Sequence, residues 1–554
     1  MKQTGYSRYL IFIAGLGGLL YGIDVGIIAA ALLYLGKTIN LSVQQTSIIV
    51  AAVLGGSMLS SLVAGVLADW FGRRKMMIAS GLLFVLSVGL IVASREFVPL
   101  LAGRLLQGMS GGVIAVVVPL YLAECLSAEH RGRGTAIFQF MLTFGIVIAA
   151  VTGWFYTRGA EAAIAAAHGD AALIAAAQNH AWRGMFLSVI YPGIVFFLGS
   201  FALSETPRWL YRRERTGEAL TVLRRTSASE TEAQTQMQEM GTVAAMGLRE
   251  HGAAGSLLRR RYVVPFVLAC VILACNQATG INSILAFLVI ILKQAGMTAR
   301  HATEGDVAVK VLNCLMTIVA VALVDRMGRK FLLKVGTAGI IVSLLGGAVL
   351  FRSFESKRVD LADKLRSSPE GISRSIRVNT PYRGSTMALT VLYSYGNGDK
   401  VVTVLSNDPD PVLRLTPDSG DARRAPVIKR ALFGPVPSER TGWLVTACLG
   451  LFIASFSVGP GVVVWLALSE LMPSRIRSTG MGIALLLNQG VSTLIAAVFL
   501  PVVGNYGFAA MFLFWAACTV IYFITAAFFL PETKGKTLEE IERHFEGPVA
   551  AGAN

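Results

Sequence analysis

Long apolar runs alternate with short polar segments along most of this chain. We count twelve such runs, six between residues 9 and 203 and six between residues 262 and 530. An apolar run of roughly 18 or more residues is long enough to cross a bilayer as a helix. Backbone polar groups in hydrocarbon must bond within their own segment, so the runs predict helices rather than an open sheet.

One short charged phrase occurs twice, half a chain apart. DWFGRRK occupies residues 69–75 and DRMGRK occupies residues 325–330, and each lies between two apolar runs. A charged turn at the same place in each set of six runs indicates a duplication. The predicted fold class is therefore an all-α membrane protein with twelve transmembrane helices in two six-helix pseudo-repeats.

The chain divides into two halves joined by a linker. Residues 1–204 are the predicted N-terminal six-helix half and residues 262–554 the C-terminal half, with cytoplasmic linker helices at 205–261 between them. An Ala-rich outer insertion at 157–182 is expected to form a short helical hairpin or a loose loop. A larger outer insertion occupies residues 352–440.

The larger insertion alternates apolar and polar residues in two stretches. Residues 387–393 and 401–405 show this alternation on either side of a turn at 396–399. Two such stretches around a Gly-Asn-Gly turn predict a β-hairpin. Long loops tolerate insertions at small entropic cost, so a decoration without a functional role is one interpretation of this segment.

Composition supports a membrane protein and indicates its orientation. Mean hydropathy is +0.62, and charged residues make up 15% of the chain, against about 25% in a typical soluble protein. The net charge is +16, and basic residues concentrate in loops that share one side if both termini are cytoplasmic. The charge therefore reflects topology, and nucleic acid is not an expected partner.

Nothing in the sequence favours an enzyme, a cofactor or a metal site. Residues 535–537 read Gly-Lys-Thr, like the end of a phosphate loop, but the required upstream glycine is absent. The six cysteines lie in or at the ends of apolar runs, without metal-ligand spacing. We therefore expect no catalytic residues, no bound metal and no cofactor.

Asp24 and Arg104 are charged residues within the predicted spans of the first half. Asp24 is midway along the first span, and Arg104 is early in the fourth. A charge within a span costs at least ~2.5 kcal/mol, so it normally faces a partner or a cavity. We expect the two to pair and to act in proton coupling, because a carboxyl between water and low dielectric responds to its neighbours. A static ion pair that joins two helices is the alternative.

Seven motifs stand in the order of a known family. They are GVLADWFGRR at 65–74, PLYLAE at 119–124 with RG at 131–132, ETPRWL at 205–210, QATGIN at 277–282, DRMGR at 325–329, GPG at 459–461 with Trp465, and PETKG at 531–535. They span nearly the whole chain apart from the two insertions. The chain resembles the sugar porters of the major facilitator superfamily, which include bacterial proton-coupled sugar symporters and facilitative glucose transporters.

This resemblance implies a secondary transporter that works by alternating access. Its halves would rock about a central site near the bilayer midplane. Proton-linked members carry an acid at the position of Asp24 and a basic partner at that of Arg104, whereas facilitative members often carry Asn in place of the acid. The expected function is proton-coupled import of a sugar or polyol. A passive facilitator is the nearer alternative, and a transporter-like nutrient sensor is the other.

A sugar or polyol requires amides and hydroxyls on facing helices and an aromatic ring for its apolar face. The expected substrate-binding residues are Gln139, Asn276, Gln277, Asn282, Asn313, Trp465, Asn488 and Gln489. Gln277 and Asn282 would diverge on a regular helix, and the Thr279-Gly280 pair between them would permit a break.

Three places depart from what is usual in the family. Asn276 stands where the first of two glutamines is usual, Ala286-Phe287 where paired tyrosines are usual, and Gln489 where many members have Trp. The resemblance therefore leaves the particular sugar open.

Charged residues near span ends are expected to act as a cytoplasmic latch. They are Asp69, Arg73, Arg74, Glu124, Arg131, Glu205, Arg208, Asp325, Arg326, Arg329, Glu470 and Arg475. Pairs among them would hold one conformation closed; ordinary topology-setting charge is the alternative. The expected partners are the sugar or polyol, a proton and the lipid bilayer. We expect a monomer in a cell membrane, a bacterial inner membrane, with both termini cytoplasmic.

Overall fold

Helices that cross the membrane make up most of the molecule. The structure is a computed structural model, and it describes residues 5–126, 128–227, 229–250, 260–366, 375–377, 386–396, 398–406, 412–415, 426–464, 471, 477–532 and 545. Within these ranges, twelve helical segments are long and apolar enough to cross a membrane. The twelve-helix prediction is thereby confirmed.

The first half extends from α1 to α7. Its helices are α1 (Gly5–Thr38), α2 (Val43–Phe71), α3 (Arg73–Ala93), α4 (Phe97–Cys125), α5 (Ala128–Ala166), α6 (Ala171–Ser188) and α7 (Ile190–Ser200). α6 and α7 together make one span. The Ala-rich segment is helical, because it continues α5 to Ala166 and resumes in α6 at Ala171. Alanine has the highest helix propensity of all residues, which accounts for this extension.

Three helices link the halves at one end of the bundle. They are α8 (Pro207–Arg212), α9 (Thr216–Thr226) and α10 (Glu230–Glu250). Leu210, Ala219 and Val222 form a small apolar cluster between α8 and α9. The Ser7 hydroxyl at the start of α1 donates a hydrogen bond of 3.1 Å to the Thr226 carbonyl. We call this end of the bundle the linker face.

The second half contains the broken seventh span and a domain inserted before its tenth span. Its helices are α11 (Arg260–Ala278), α12 (Ile281–Gln294), α13 (Ala299–Met327), α14 (Arg329–Glu355), α15 (Ala362–Arg366), α16 (Glu439–Phe456), α17 (Arg477–Tyr506) and α18 (Phe508–Ile524). Short π-helical turns follow α16 at Ser457–Gly461 and α18 at Thr525–Phe529. The halves meet where α12 contacts α1, α13 contacts α5 and α17 contacts α2.

The large insertion folds as a small β domain. Its strands are β1 (Val359–Asp360), β2 (Ser375–Arg377), β3 (Met387–Ser394), β4 (Asp399–Leu405), β5 (Val412–Arg414) and β6 (Val427–Pro435). The main sheet has the order β1-β6-β3-β4, and β2 pairs with β5 in a second sheet. The hairpin expected from the sequence corresponds to β3 and β4, which pair from Ala388 opposite Leu405 to Ser394 opposite Asp399.

The β domain lies at the end of the bundle opposite the linker and touches both halves. On the first half, Lys400 donates to the Asn40 side chain at 3.0 Å, and the Gln44 amide donates to the Asp399 carboxylate at 3.2 Å. On the second half, Arg430 donates to the backbone carbonyls of Gly504 and Asn505. We call this end of the bundle the sheet face.

Glycines permit the closest helix contacts. Gly56 of α2 lies directly against α4, where a Cβ would overlap the Leu105 carbonyl, and Gly108 of α4 lies in the same way against Val53 of α2. Without a hydrophobic driving force between helices in lipid, such close packing provides much of the attraction.

We predict that Gly56→Ala destabilises the bundle whereas Gly65→Ala does not. The first methyl group would force α2 and α4 apart, and overpacking of this kind costs typically ~1–3 kcal/mol. The second is a matched control on the same helix, since a Cβ at Gly65 meets nothing within 4 Å. Thermal unfolding in detergent measures both. Equal stability of the two variants would contradict the packing argument.

Candidate functional site

A buried ion pair joins α1 and α4 in the first half. The side chains of Asp24 and Arg104 are each 1% exposed, and Arg104 Nη1 lies 3.2 Å from Asp24 Oδ1. The same Nη1 donates to Gln107 Oε1 at 2.7 Å, and the guanidinium lies 5.5 Å from the centre of the Phe186 ring. Asp24 Oδ2 is buried without a hydrogen-bond partner among the described residues. The carboxylate therefore has one paired oxygen and one open position.

An amide network forms the polar centre of the second half. Gln277 Nε2 donates to Asn488 Oδ1 at 3.2 Å, and Asn488 Nδ2 donates to the Leu273 carbonyl at 3.1 Å. Asn282 Nδ2 lies 2.9 Å from Gln277 Oε1 and 2.8 Å from Ser492 Oγ. Amides on α11, α12 and α17 thus form one group with donors and acceptors in fixed positions.

A break in the seventh span makes this network possible. α11 ends at Ala278 and α12 begins at Ile281, and Gly280 between them has φ of +87°. A side chain at Gly280 would also overlap the ring of Trp515, which stacks on Phe499 with centroids 5.6 Å apart. The break turns Asn282 back toward Gln277, so the two amides meet where a continuous helix would separate them.

The other expected binding residues lie in separate places. Asn313 accepts a 2.8 Å hydrogen bond from the Ser457 hydroxyl, and Gln489 interacts with Tyr21 across the two halves. Asn276 is buried and its Oδ1 has no partner among the described residues. Gln139 is half-buried on α5. Trp465 lies outside the described residues.

Charged residues at the linker face of the first half form a tight cluster. Arg73 is almost fully buried and lies 2.6 Å from Asp69 and 3.0 Å from Glu124. Arg73 contacts both oxygens of Glu124, and Oε2 also accepts a 2.6 Å hydrogen bond from the Thr206 hydroxyl. Trp209 of the linker donates from Nε1 to the Asp69 carbonyl at 2.9 Å. The cluster therefore joins α2, α3, α4 and the linker.

Each repeated hairpin also holds a carboxylate on backbone N–H groups. Glu205 accepts from the N–H of Arg73 at 2.9 Å and of Arg74 at 3.2 Å. Glu532 accepts from the N–H of Arg329 and of Lys330, each at 3.1 Å. A carboxylate at a helix N-terminus gains from exposed N–H groups and from the helix dipole. Burial nevertheless raises the pKa of Glu205 above its usual value, against the lowering effect of these donors and of Arg73.

The remaining latch candidates are less connected or not described. Arg74 donates from Nη2 to the Phe201 carbonyl at 2.6 Å, and Arg208 and Arg326 are exposed. Glu470 and Arg475 lie outside the described residues, and so do the side chains of Arg131 and Asp325. Arg73 and Glu205 bond to groups of the first half and its linker, and Glu532 accepts from backbone N–H groups of the second half.

The sequence did not reveal several residues that bond to the expected site residues. They are Gln107 beside Arg104, Ser492 beside Asn282, Ser457 beside Asn313, Thr206 beside Glu124, and Glu532. Only Glu532 carried a signal, because its Pro-Glu-Thr motif repeats the Glu-Thr-Pro motif of Glu205. The others are ordinary polar residues whose partners come from distant helices.

The described part of the chain offers no metal-binding chemistry. No group of three or more His, Cys, Asp or Glu side chains lies close enough there to hold an ion. The polar groups at the centre of the two halves are the Asp24–Arg104 ion pair, neutral amides and a hydroxyl.

Comparisons with known proteins identify the family of the chain. The family of the sugar (and other) transporters matches residues 10–360 and 427–545. A glucose transporter of Staphylococcus epidermidis is 29% identical over 97% of each chain. A proton myo-inositol cotransporter of Caenorhabditis elegans is 28% identical over 98% of this chain and 90% of its own.

Solved structures show the same fold. The inward open conformation of the xylose transporter XylE from E. coli superposes with a TM-score of 0.69 at 21% identity, over 97% of this chain and all of the other. The resemblance seen in the motifs and the predicted fold class are confirmed, and the comparisons point to a transporter rather than an enzyme. The chain belongs to the sugar (and other) transporter family, the sugar porters of the major facilitator superfamily.

Proposed function

We propose that this sugar transporter imports a sugar or polyol together with a proton, by alternating access in a cell membrane. The observation that carries the proposal is the fully buried Asp24–Arg104 pair, whose carboxylate keeps one oxygen without a partner in the described residues. Ionisable groups inside a membrane span usually mark ion or proton pathways.

The pair supplies two states that differ by one proton. Ionised Asp24 attracts Arg104 and keeps α1 against α4. Protonation removes the charge of the carboxyl, while Gln107 Oε1 remains as a neutral acceptor for Arg104. The α1–α4 contact is then weaker, and a weaker contact permits the first half to rearrange. Binding of a proton thereby becomes coupled to the conformation that loads the substrate.

The amide network of the second half is the proposed binding surface for the solute. Hydroxyls of a sugar or polyol both donate and accept, and amides offer both functions side by side. Gln277, Asn282 and Asn488 are already held by one another, so they are ordered before the solute arrives. Relatives that carry glucose or myo-inositol in their names support a polyhydroxylated ring as the substrate class.

The clusters of the linker face are proposed to act as latches on the cytoplasmic side. The Arg73–Glu124 pair ties the hairpin of the first half to α4, and Trp209 ties the linker to the same hairpin. Each half can then move as one body. We propose that the linker face is the cytoplasmic side of the membrane. Both termini then lie in the cytoplasm, and the β domain lies outside.

A passive facilitator is the second candidate. A facilitated glucose transporter of Xenopus laevis is 26% identical over 98% of this chain. The two candidates differ in whether Asp24 must ionise during the cycle.

We predict that Asp24→Asn abolishes uphill accumulation but retains exchange of labelled substrate. The amide still accepts from Arg104, but it cannot take up or release a proton. Uptake into proteoliposomes with and without a pH gradient, across a panel of sugars and polyols, measures both activities. Accumulation that survives in this variant would refute coupling through Asp24 and favour the facilitator. Failure of the unaltered protein to move any sugar or polyol would refute the substrate class.

We predict that Asn488→Ala weakens substrate binding about 5- to 150-fold. The change removes a direct contact and leaves Gln277 without its acceptor, and a lost buried hydrogen bond costs ~1–3 kcal/mol. Asn505→Ala is the matched control, because this exposed amide on the same helix bonds only to the Pro501 carbonyl. Equilibrium binding of the transported solute gives the affinities. An unchanged affinity in Asn488→Ala would remove the network from the binding site.

We predict that Arg73→Ala lowers the free energy of unfolding by about 3–5 kcal/mol, because it leaves Glu124 buried without its cation. Arg212→Ala is the control, because it also removes a positive charge beside Asp69. Its guanidinium is 68% exposed and lies 3.7 Å from Asp69, and an exposed pair of this kind is worth at most ~1 kcal/mol. Unfolding by denaturant in detergent compares the two. Similar losses in both variants would show that Arg73 contributes only surface charge.

A further inference from the structure

A second buried ion pair lies in α13 and takes no part in the site described above. Asp306 and Lys310 are one turn apart on this helix, and Lys310 Nζ lies 2.8 Å from Asp306 Oδ2. Their side chains are 1% and 0% exposed. Charges this deep in a span are expensive and mark functional positions more often than structural ones.

One bond of this pair crosses between the two halves. Lys310 Nζ also donates to the backbone carbonyl of Gly26 in α1 at 3.1 Å. The ion pair itself lies within one helix, so it holds no elements together. The cross-half connection is the single hydrogen bond to Gly26. Asp306 Oδ1 has no hydrogen-bond partner among the described residues.

The bond lies between Asn313 and the sheet face. Lys310 is about one turn from Asn313, on the side toward the start of α13 at Ala299. Gly26 is two residues from Asp24 on α1, and a Cβ at Gly26 would contact Ala149 of α5. α1 is therefore held between α5 of its own half and Lys310 of the other half.

The hydrogen bond from Lys310 to Gly26 and the ion pair of Lys310 with Asp306 behave differently when the halves separate. If α1 and α13 move apart at the sheet face, Lys310 loses the Gly26 carbonyl and gains water. It keeps Asp306, because both residues travel on the same helix. A cross-half ion pair would instead leave two uncompensated charges when it broke, and that is strongly destabilising. A single bond to a neutral carbonyl can break and reform in every cycle.

We propose that Lys310 is a positioning residue that fastens the sheet face of the bundle in its closed form, with Asp306 as the counter-charge that keeps it ionised. The proposal rests on the proposed alternating access. It assigns to α13 a direct hold on α1 beside Asp24, so one contact links closure at the sheet face to the position of the coupling helix.

The test compares three proteins. The double variant Asp306→Leu with Lys310→Met removes the bond to Gly26 and leaves no unpaired charge behind. Lys310→Arg keeps a cation of similar reach and serves as the conservative rescue. Thermal unfolding of each protein in detergent shows whether the variants remain folded.

Distances between spin labels report the conformation. One pair of labels is placed at Lys37→Cys and Arg300→Cys on the sheet face, and another at Trp70→Cys and Met327→Cys on the linker face. All four positions are exposed, and the six native cysteines are replaced by serine. Distances are read without solute and without a pH gradient, so the result is independent of whether Asp24 couples a proton.

We expect the double variant to raise the ratio of sheet-face-open to closed forms about tenfold, which corresponds to about 1.4 kcal/mol. The sheet-face pair then gains a longer distance and the linker-face pair a shorter one, while Lys310→Arg matches the unaltered protein. Unchanged distances in a folded double variant would overturn the proposal. A loss of stability without any change in either distance would also overturn it, because it would assign the pair a structural role only.

Discussion

The cost of burying an unpaired charge in an apolar bundle determines where the charged residues of this transporter lie. Among the described residues, each buried ion pair is contained within one half: Asp24 with Arg104, Arg73 with Glu124, and Asp306 with Lys310. The contacts between the halves are of another kind. Among the described residues they include single hydrogen bonds, such as that from Lys310 to the Gly26 carbonyl, and packing of apolar helices. The halves can therefore separate without leaving any of these buried charges alone.

The cost of leaving polar groups unpaired also explains which groups bind the free N–H groups at helix N-termini. The first N–H groups of a helix have no partner within it, and in the described part of this chain a carboxylate from a segment distant in sequence takes them three times. Glu205 and Glu532 do so for α3 and α14 at the linker face, and Glu355 for α18 at the sheet face through Phe508 and Ala509. A positive-φ glycine precedes each of these helices, at Gly72, Gly328 and Gly507. The duplication seen in the sequence thus extends to a shared tertiary contact.

The sequence was sufficient for the spans and for the buried pair of the first half. Twelve long apolar runs leave no other solution for the backbone in lipid, and Asp24 and Arg104 are conspicuous because each interrupts such a run. The β3–β4 hairpin was also visible, since its alternation and turn are local. The remaining strands were not, because β1 has two residues, β2 and β5 have three each, and β6, with nine, lacks a strict apolar–polar alternation. Such strands are defined by their partners and not by their own pattern.

The polar contacts that join distant helices were the least predictable. The backbone donors that hold Glu205 and Glu532 have no side-chain signature. The meeting of Gln277 and Asn282 depends on the direction of the chain after Gly280, which the sequence showed only as a place where a break is permitted. Asp306 stood at the expected start of a span, where a charge is ordinary. Lys310 lies four residues further along, inside that span. Residues four apart are neighbours on a helix, so the sequence was compatible with an Asp306–Lys310 pair that we did not predict.

The β domain follows the same division between strong bonds within a half and weak bonds between halves. Both of its connections to the chain come from the second half, after α14 and before α16, so it moves with that half. Its Asp360–Arg430 and Asp399–Lys429 pairs are internal. Its described contacts with the first half include the bonds to Asn40 and Gln44, which are partly or fully exposed and exchange readily for water. The domain therefore covers the sheet face of both halves without an ion pair, among the described residues, that would resist their separation.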